Sequence, residues 1–265
     1  MDLFKQSLAP IPTEAWEEIN ERSKEVILSQ LTARSIVNVI GPKGLDTNSI
    51  SIGRLKEIKP LKSNEVGASL YEVMPLMETR IEFDLSRWEL DNILRGVKDT
   101  KLDNLEDAVE KLTLFEEDTI YNGNKNAGIK GLNEVAGTRI KLTKDANDIL
   151  NAISEGVNTL TDAFSEKPYD LIVSDEVLKR LNQMYQGGLL RKNVSLITGG
   201  DVIRSRAIKG AILIPRDHED LELTIGQDYT IGYETHDKNN VTLFVMNSFT
   251  FRCLDEDIVV AFDID

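Results

Sequence analysis

The sequence predicts an α+β fold, on three observations. Leu223–Phe251 alternates apolar and polar residues over two long stretches joined by a polar turn at 235–240. Leu105, Ala108, Val109, Leu112, Phe115 and Ile120 recur at helical spacing. From about Thr143 the pattern changes to helix, strand, helix, strand. Period two marks a half-buried hairpin, and period 3.6 marks a helix with one buried stripe.

The first helix starts at Thr13, a residue type suited to an N-cap, with Glu14 and Glu17 near its positive end. Trp16, Ile19, Val26, Ile27 and Leu31 form its apolar face, and Glu17, Glu18, Glu21, Arg22, Lys24 and Glu25 its charged one. It ends near Ala33, and Ile36–Ile40 reads as a short strand. Residues 46–80 differ. Ile50, Ile52, Leu55 and Ile58 are interrupted by Gly53, Pro60 and Gly67 before a second run, Ser69–Met77. This predicts a long two-stranded arm. A lone hairpin is marginal in water, so such an arm needs a neighbour to lie on, which points to an oligomer.

Leu85–Leu94 is predicted as a short helix, and Asp103 with Glu106 as a capping box opening the 103–121 helix. Asn122–Gly128 is rich in turn residues. Asp145–Phe164 is predicted helical, Leu171–Val173 a strand, Glu176–Tyr185 a helix, and Val194–Ile197 and Ala211–Ile214 strands. These make an α/β subdomain inserted between the 103–121 helix and the late hairpin.

The chain has 265 residues, 41% of them hydrophobic, enough for one large core or two small ones. No run reaches the roughly 18 apolar residues that a membrane helix needs, and the opening MDLFKQSLAP lacks the apolar centre of a secretory signal, so the cytoplasm is the expected location. The single cysteine, Cys253, forms no internal disulfide and reads as a small buried apolar residue. With 45 acids against 31 bases the formal charge is −14, which disfavours coating a nucleic acid and requires any self-association to bury apolar surface or pair charges.

Motifs for catalysis are missing. No G-x-S-x-G elbow, phosphate-loop spacing or H-E-x-x-H occurs, and Gly41–Gly44 lacks the phosphate-loop pattern. His218 and His236 lie in polar turns. The acidic groups Asp217–Asp220 and Asp255–Asp257 read as solvated turns rather than cation sites, so no metal site is expected.

The late hairpin resembles, nearly residue for residue, that of the encapsulin shell proteins, the linocin-like family. Leu8-Ala9-Pro10-Ile11 with Trp16 resembles that family's amino-terminal segment, Gly41-Pro42-Lys43-Gly44 its first turn after a strand, and Trp88-Glu89-Leu90-Asp91-Asn92 its helix start before the spine. The segments keep their order and spacing over residues 1–262.

The resemblance implies the tailed-phage major-capsid fold. Residues 1–45 would hold the amino-terminal helix and the start of the P-domain, 46–80 the E-loop arm, 81–129 the P-domain with the spine helix, 130–215 the A-domain, and 216–265 the hairpin completing the P-domain. It implies a shell protein, not an enzyme, that self-assembles into an icosahedral nanocompartment of the smallest size class, with no nucleic acid and no membrane. The enclosed cargo would be a ferritin-like iron-storage protein or a dye-decolorising peroxidase held by its C-terminal targeting peptide. Arg34, Ile36 and Asn38 after the first helix, with Asp228 and Tyr229 in the hairpin, match the cargo-peptide site; Asn38 stands where some relatives have an acid. Tyr185, Gly187, Gly188 and Leu189 fall in the loop that lines the five-fold pore, where the glycines would allow a flexible rim. No cofactor is required, but some members carry a flavin near the matching tryptophan, which would put Arg80 and Trp88 against it; the alternative is a tryptophan packed at a helix start. Rival readings are a phage-type major capsid protein, disfavoured by the charge, and a peptidase or bacteriocin, for which no nucleophile–base motif exists.

Overall fold

The computed structural model describes residues 3–60 and 62–264, and its strands form two five-stranded sheets and two two-stranded ribbons. Helix α1 (Thr13–Gln30) is followed by a tight 3-10 turn at Ala33–Ser35 and strand β1 (Val37–Ile40). Strands β2 (Ser49–Lys59) and β3 (Ala68–Pro75) pair only with each other, as the arm. Strand β4 (Met77–Ser86) runs into helix α2 (Arg87–Leu94), and α3 (Asp103–Asn122) is the long spine. The short α4 (Leu132–Val135), β5 (Thr138–Leu142) and α5 (Ala146–Asp162) open the inserted part. Asp145 caps α5 by accepting the N–H groups of Asn147 and Asp148. Then come β6 (Tyr169–Val173), α6 (Asp175–Leu181), the ribbon β7 (Met184–Tyr185) with β8 (Gly188–Leu189), α7 (Leu190–Thr198), β9 (Gly199–Arg204) and β10 (Ala211–Pro215). The chain closes with β11 (His218–Ile225), β12 (Thr230–His236), β13 (Asn240–Cys253) and β14 (Val260–Ile264).

Strand β13 organises the first sheet. β4 pairs along one side of it, from Ser86↔Asn240 to Met77↔Phe249. β11 and β12 lie end to end along the other side, and β1 adds in parallel outside β11. Between β11 and β12 the backbone bows out at Gly226–Tyr229 opposite Asn247 and Ser248. The Gly226 N–H donates to the Ser248 carbonyl at 2.8 Å, and the Ser248 N–H donates to the Gln227 carbonyl at 2.8 Å. A bulge of this kind re-aims side chains, here Asp228 and Tyr229. The second sheet runs β5-β14-β10-β6-β9, with α5 packed on it through Ile149, Ile153 and Leu160.

The spine helix joins two cores. Its first half packs Leu105 and Val109 with Ile19 of α1, Phe83 and Leu85 of β4 and Leu243 of β13. Its second half packs Ile120 and Tyr121 in the cluster that holds Ile36, Val37 and the inserted sheet. The arm lies outside both cores. Leu55 is 60% exposed and Tyr71 77% exposed, and Ile58, Leu70 and Val73 are likewise exposed.

Several expected elements differ. Val194–Ile197 is part of helix α7, not a strand: Leu190, Val194 and Thr198 are buried at four-residue intervals, and a short apolar run does not separate the two periods. Leu85 belongs to β4, so the short helix begins at Arg87, and α6 stops at Leu181, short of Tyr185. Thr13 and Asp103 are the first helical residues; Pro12 and Leu102 hold the N-cap positions and no side chain caps either helix. The arm ends at Pro75, and β14 sits in the second sheet between β5 and β10, so residues 216–265 do not all complete the first one. Phe115 is 42% exposed and off the buried stripe, while Glu116 and Glu117 are inside.

Candidate functional site

Helix α1 leans over the β12 side of the first sheet and leaves a trough of about 600 Å³ between them. Ile27 and Leu28 of α1, with Leu31 at its C-cap, face Tyr229, Ile231 and Val245 of the sheet across it, and Arg34 and Asp228 stand at one end. Leu28 is 68% exposed. An apolar side chain left open on the wall of an apolar trough is an unfilled contact.

The charged end is built from below. Glu116 of the spine helix has no exposure at all, yet four donors reach it. Arg34 Nε donates to its Oε1 at 2.7 Å and Arg34 Nη2 to its Oε2 at 2.9 Å, a bidentate pair. The Tyr229 hydroxyl donates at 2.8 Å and Asn247 Nδ2 at 2.6 Å. Arg34 Nη1 donates to Asp228 Oδ1 at 2.8 Å, and the guanidinium lies 4.9 Å from the Tyr229 ring centroid. Burial works to lower the Arg34 pKa, but the hydrogen bonds and charges of Glu116 and Asp228 outweigh it, and the pKa is raised. Burial, then the Glu116 charge, raises the Tyr229 phenol well above its ordinary range. Both groups therefore hold fixed protonation states near neutral pH. Asp228 remains 44% exposed at its side chain, facing the trough.

Glu117, next along the helix, faces elsewhere. Its carboxylate accepts the Thr32 N–H at 2.9 Å, the Ala33 N–H at 2.8 Å, the Thr32 hydroxyl, and the Ser205 hydroxyl at 3.4 Å. Burial pushes its pKa up to about 7, against the opposing pull of those hydrogen bonds.

Of the five residues matched to a cargo-peptide site, Arg34, Asp228 and Tyr229 come together on the trough. Ile36 does not: it is fully buried in the core. Asn38 lies on β1, paired with Glu222, outside the lining. The sequence reading missed Glu116 and Asn247 beneath the site, and the α1 face of Asn20, Lys24, Ile27 and Leu28. Two signals were there: an acid inside the Leu112–Ile120 apolar stripe, and helical spacing from Asn20 to Leu31.

Arg80 and Trp88 do not form one ring site. Arg80 lies 3.5 Å over the Phe244 ring and pairs with Glu234 at 2.5 Å, whereas Trp88 is 70% exposed and meets Arg95 at 5.0 Å. The expected flavin contact between them is therefore unsupported. Gly187 and Gly188 lie at the tip of a short ribbon. Gln186 (φ 49°) and Gly187 (φ 84°) make a two-residue turn closing the β7–β8 ribbon, and the Tyr185 hydroxyl donates to Asn147 Oδ1 at 2.7 Å. A second cavity, about 730 Å³, lies beside β14, but its Arg139 and Asp175 already pair with Asp263 and Arg204. Cys253 is part-buried, and burial pushes its thiol up to about 12, which makes it unreactive.

Residues 1–250 match the family described as encapsulating protein for peroxidase. The chain belongs to the encapsulin shell-protein family. It is 32% identical to the type 1 encapsulin shell protein of Rhodococcus erythropolis over 98% of this chain and 99% of the relative, and 31% identical to that of Mycobacterium tuberculosis over the same shares. Its fold matches the virus-like particle from Pyrococcus furiosus with a TM-score of 0.69 at 17% identity, covering 95% of this chain and 100% of that one. The capsid of Myoviridae phage XM1 matches at 0.59 and 12% identity, covering 86% and 90%. The fold is thus that of phage major capsids, while the sequence groups with encapsulin shell proteins. Family membership makes the chain a structural shell component, not a peptidase. Among the described residues no helix is long and apolar enough to cross a membrane.

Proposed function

We propose that copies of this encapsulin close into an icosahedral shell of the smallest class and hold a cargo enzyme by docking its C-terminal peptide in the α1–β12 trough. The observation that carries the docking assignment is the open apolar wall at Leu28 and Leu31, floored by the buried Ile231 and ended by the half-exposed Asp228. An aliphatic tail fills such a wall, and a basic side chain on it reaches the outer oxygen of Asp228. Arg34 and Tyr229 belong to this site as its positioned end.

A peroxidase is the cargo named by the family's description, and a ferritin-like protein that oxidises and stores iron is the second candidate. The Tyr185–Leu189 ribbon is assigned to the five-fold pore, with its two-residue turn at the rim. A cytoplasmic shell fits the single cysteine and the acidic charge. The arm supplies assembly energy, since its exposed Leu55 and Tyr71 gain cover only from neighbouring copies.

The test is Leu28→Glu, with a fluorescent protein bearing a tail of glycines, aliphatic residues and one arginine co-expressed. Leu28 is exposed, so shells should assemble as in the wild type by electron microscopy, while reporter per shell falls several-fold. Undiminished loading would remove the trough assignment.

A further inference from the structure

The trough's polar groups are mostly already committed. The Ser23 hydroxyl donates to the Ile19 carbonyl at 2.7 Å, Ser35 to Thr32 at 2.6 Å, and Thr230 to Asp228 at 2.8 Å. Gln6 Nε2 donates to the Ile231 carbonyl at 2.6 Å. Arg34 is taken up by Glu116 and Asp228. Two side chains differ. Among the described residues, Asn20 has no hydrogen-bond partner and Lys24 no ion-pair partner, although both line the trough. They stand four apart on α1 and so face the same way. Together they present an amide N–H pair and an ammonium, the donors that a carboxylate takes.

Resting on the trough reading above, we infer that Asn20 and Lys24 form a clip for a carboxylate on the docked peptide, opposite in sign to the Asp228 end. Lys24 is two turns back from Leu31, about 10 Å along the helix axis. An extended peptide covers that in about three residues. The occupant is then an extended segment with a basic residue, at least two aliphatic residues and a carboxylate, in that order away from Asp228. The charge pattern sets the direction in which the peptide lies.

The test uses two reporters with tails -Gly-Arg-Leu-Leu-Asp-Gly-Gly and -Gly-Arg-Leu-Leu-Lys-Gly-Gly, each co-expressed with the shell protein. A partly exposed ion pair changes occupancy by about two- to fivefold. Wild-type shells should take up the Asp tail in excess of the Lys tail by that factor. Lys24→Glu should reverse the order, and Asn20→Ala should bring the two closer; both positions are on the exposed side of α1, so folding is not at stake. Equal uptake of both tails in wild type and Lys24→Glu, with loading still lost in Leu28→Glu, would overturn the clip and leave the trough. Uptake indifferent to Leu28→Glu as well, or no uptake of either tail, would overturn both.

Discussion

Replacing Glu117 by Gln should flatten the dependence of stability on pH between about 5 and 7. The carboxyl is held at about 7 in the folded chain against a usual value of 4.5, because burial disfavours its charged form. The folded chain therefore holds a proton that the unfolded chain has released over that window. Stability from this group falls as pH rises from 4.5 to about 7 and is level above that. The gap corresponds to about 3 kcal/mol, each tenfold in proton affinity being about 1.4 kcal/mol. Glutamine keeps the geometry. Its carbonyl accepts from the Thr32 and Ala33 N–H groups, and its amide donates to the Thr32 hydroxyl, which has Tyr121 as its other partner at 2.8 Å. Only the Ser205 hydroxyl, a long 3.4 Å donor to the carboxylate, loses its acceptor, and the proton-linked loss disappears. Guanidinium unfolding of wild type and variant at equal protein concentration, from pH 5 to pH 8, is the measurement. The wild type should lose roughly 2–3 kcal/mol more than the variant across that range. Carboxylates whose pKa is lowered, such as Asp263 beside Arg139, act equally in both chains and cancel in the comparison. Parallel profiles would show that Glu117 titrates alike in folded and unfolded chains and would refute the reasoning.

Glu116→Ala should be far more damaging, because it strands the Arg34 guanidinium and leaves Tyr229 and Asn247 without their acceptor; a loss of about 3–5 kcal/mol is expected in denaturant titrations, with Glu116→Gln recovering part of it. Leu55→Ser with Tyr71→Ser should leave the subunit's circular dichroism unchanged and shift size-exclusion profiles from shells toward small species, since each side chain forfeits about 1.5–3 kcal/mol of burial available only between copies.

Much of this architecture was legible in the chain. Phe249 and Phe251 are buried as the spacing demanded, but β13 is buried on both faces from Leu243 to Phe251 and so is not half-exposed as expected; the arm announced itself by apolar residues with nothing local to cover them. What escaped has identifiable causes. β4 was divided between arm and helix because Ile81, Phe83 and Leu85 form only three alternations before Arg87 starts a helix. The joint between β11 and β12 was invisible because the bulge at Gly226–Tyr229 preserves the overall even spacing from Ile225 to Tyr229. β14 joins the second sheet beside β5, more than a hundred residues away, a pairing that no local pattern encodes.

The site was half legible for a similar reason. Arg34 and Asp228 are far apart in sequence, and only their match to a family motif put them together; the residue that holds Arg34 from beneath, Glu116, belongs to neither segment. Ile36 was placed by its match to the family's cargo-peptide site, but the 3-10 turn at Ala33–Ser35 rotates it into the core.

The two adjacent glutamates explain how the trough keeps its shape. Consecutive helix residues point about 100° apart, so one turn of the spine serves two sides. Glu116 grips Arg34, Tyr229 and Asn247 from beneath the sheet. Glu117 grips the backbone of Thr32 and Ala33, where α1 hands over to the turn that carries Arg34. Both walls of the trough are thereby fastened to one buried helix, as well as to each other through Arg34 and Asp228. A bound peptide then meets a preformed groove and orders little of the protein, so its own few contacts appear as affinity. Burying two carboxylates side by side is costly in isolation, and shape in the trough is the return that the surrounding donors secure.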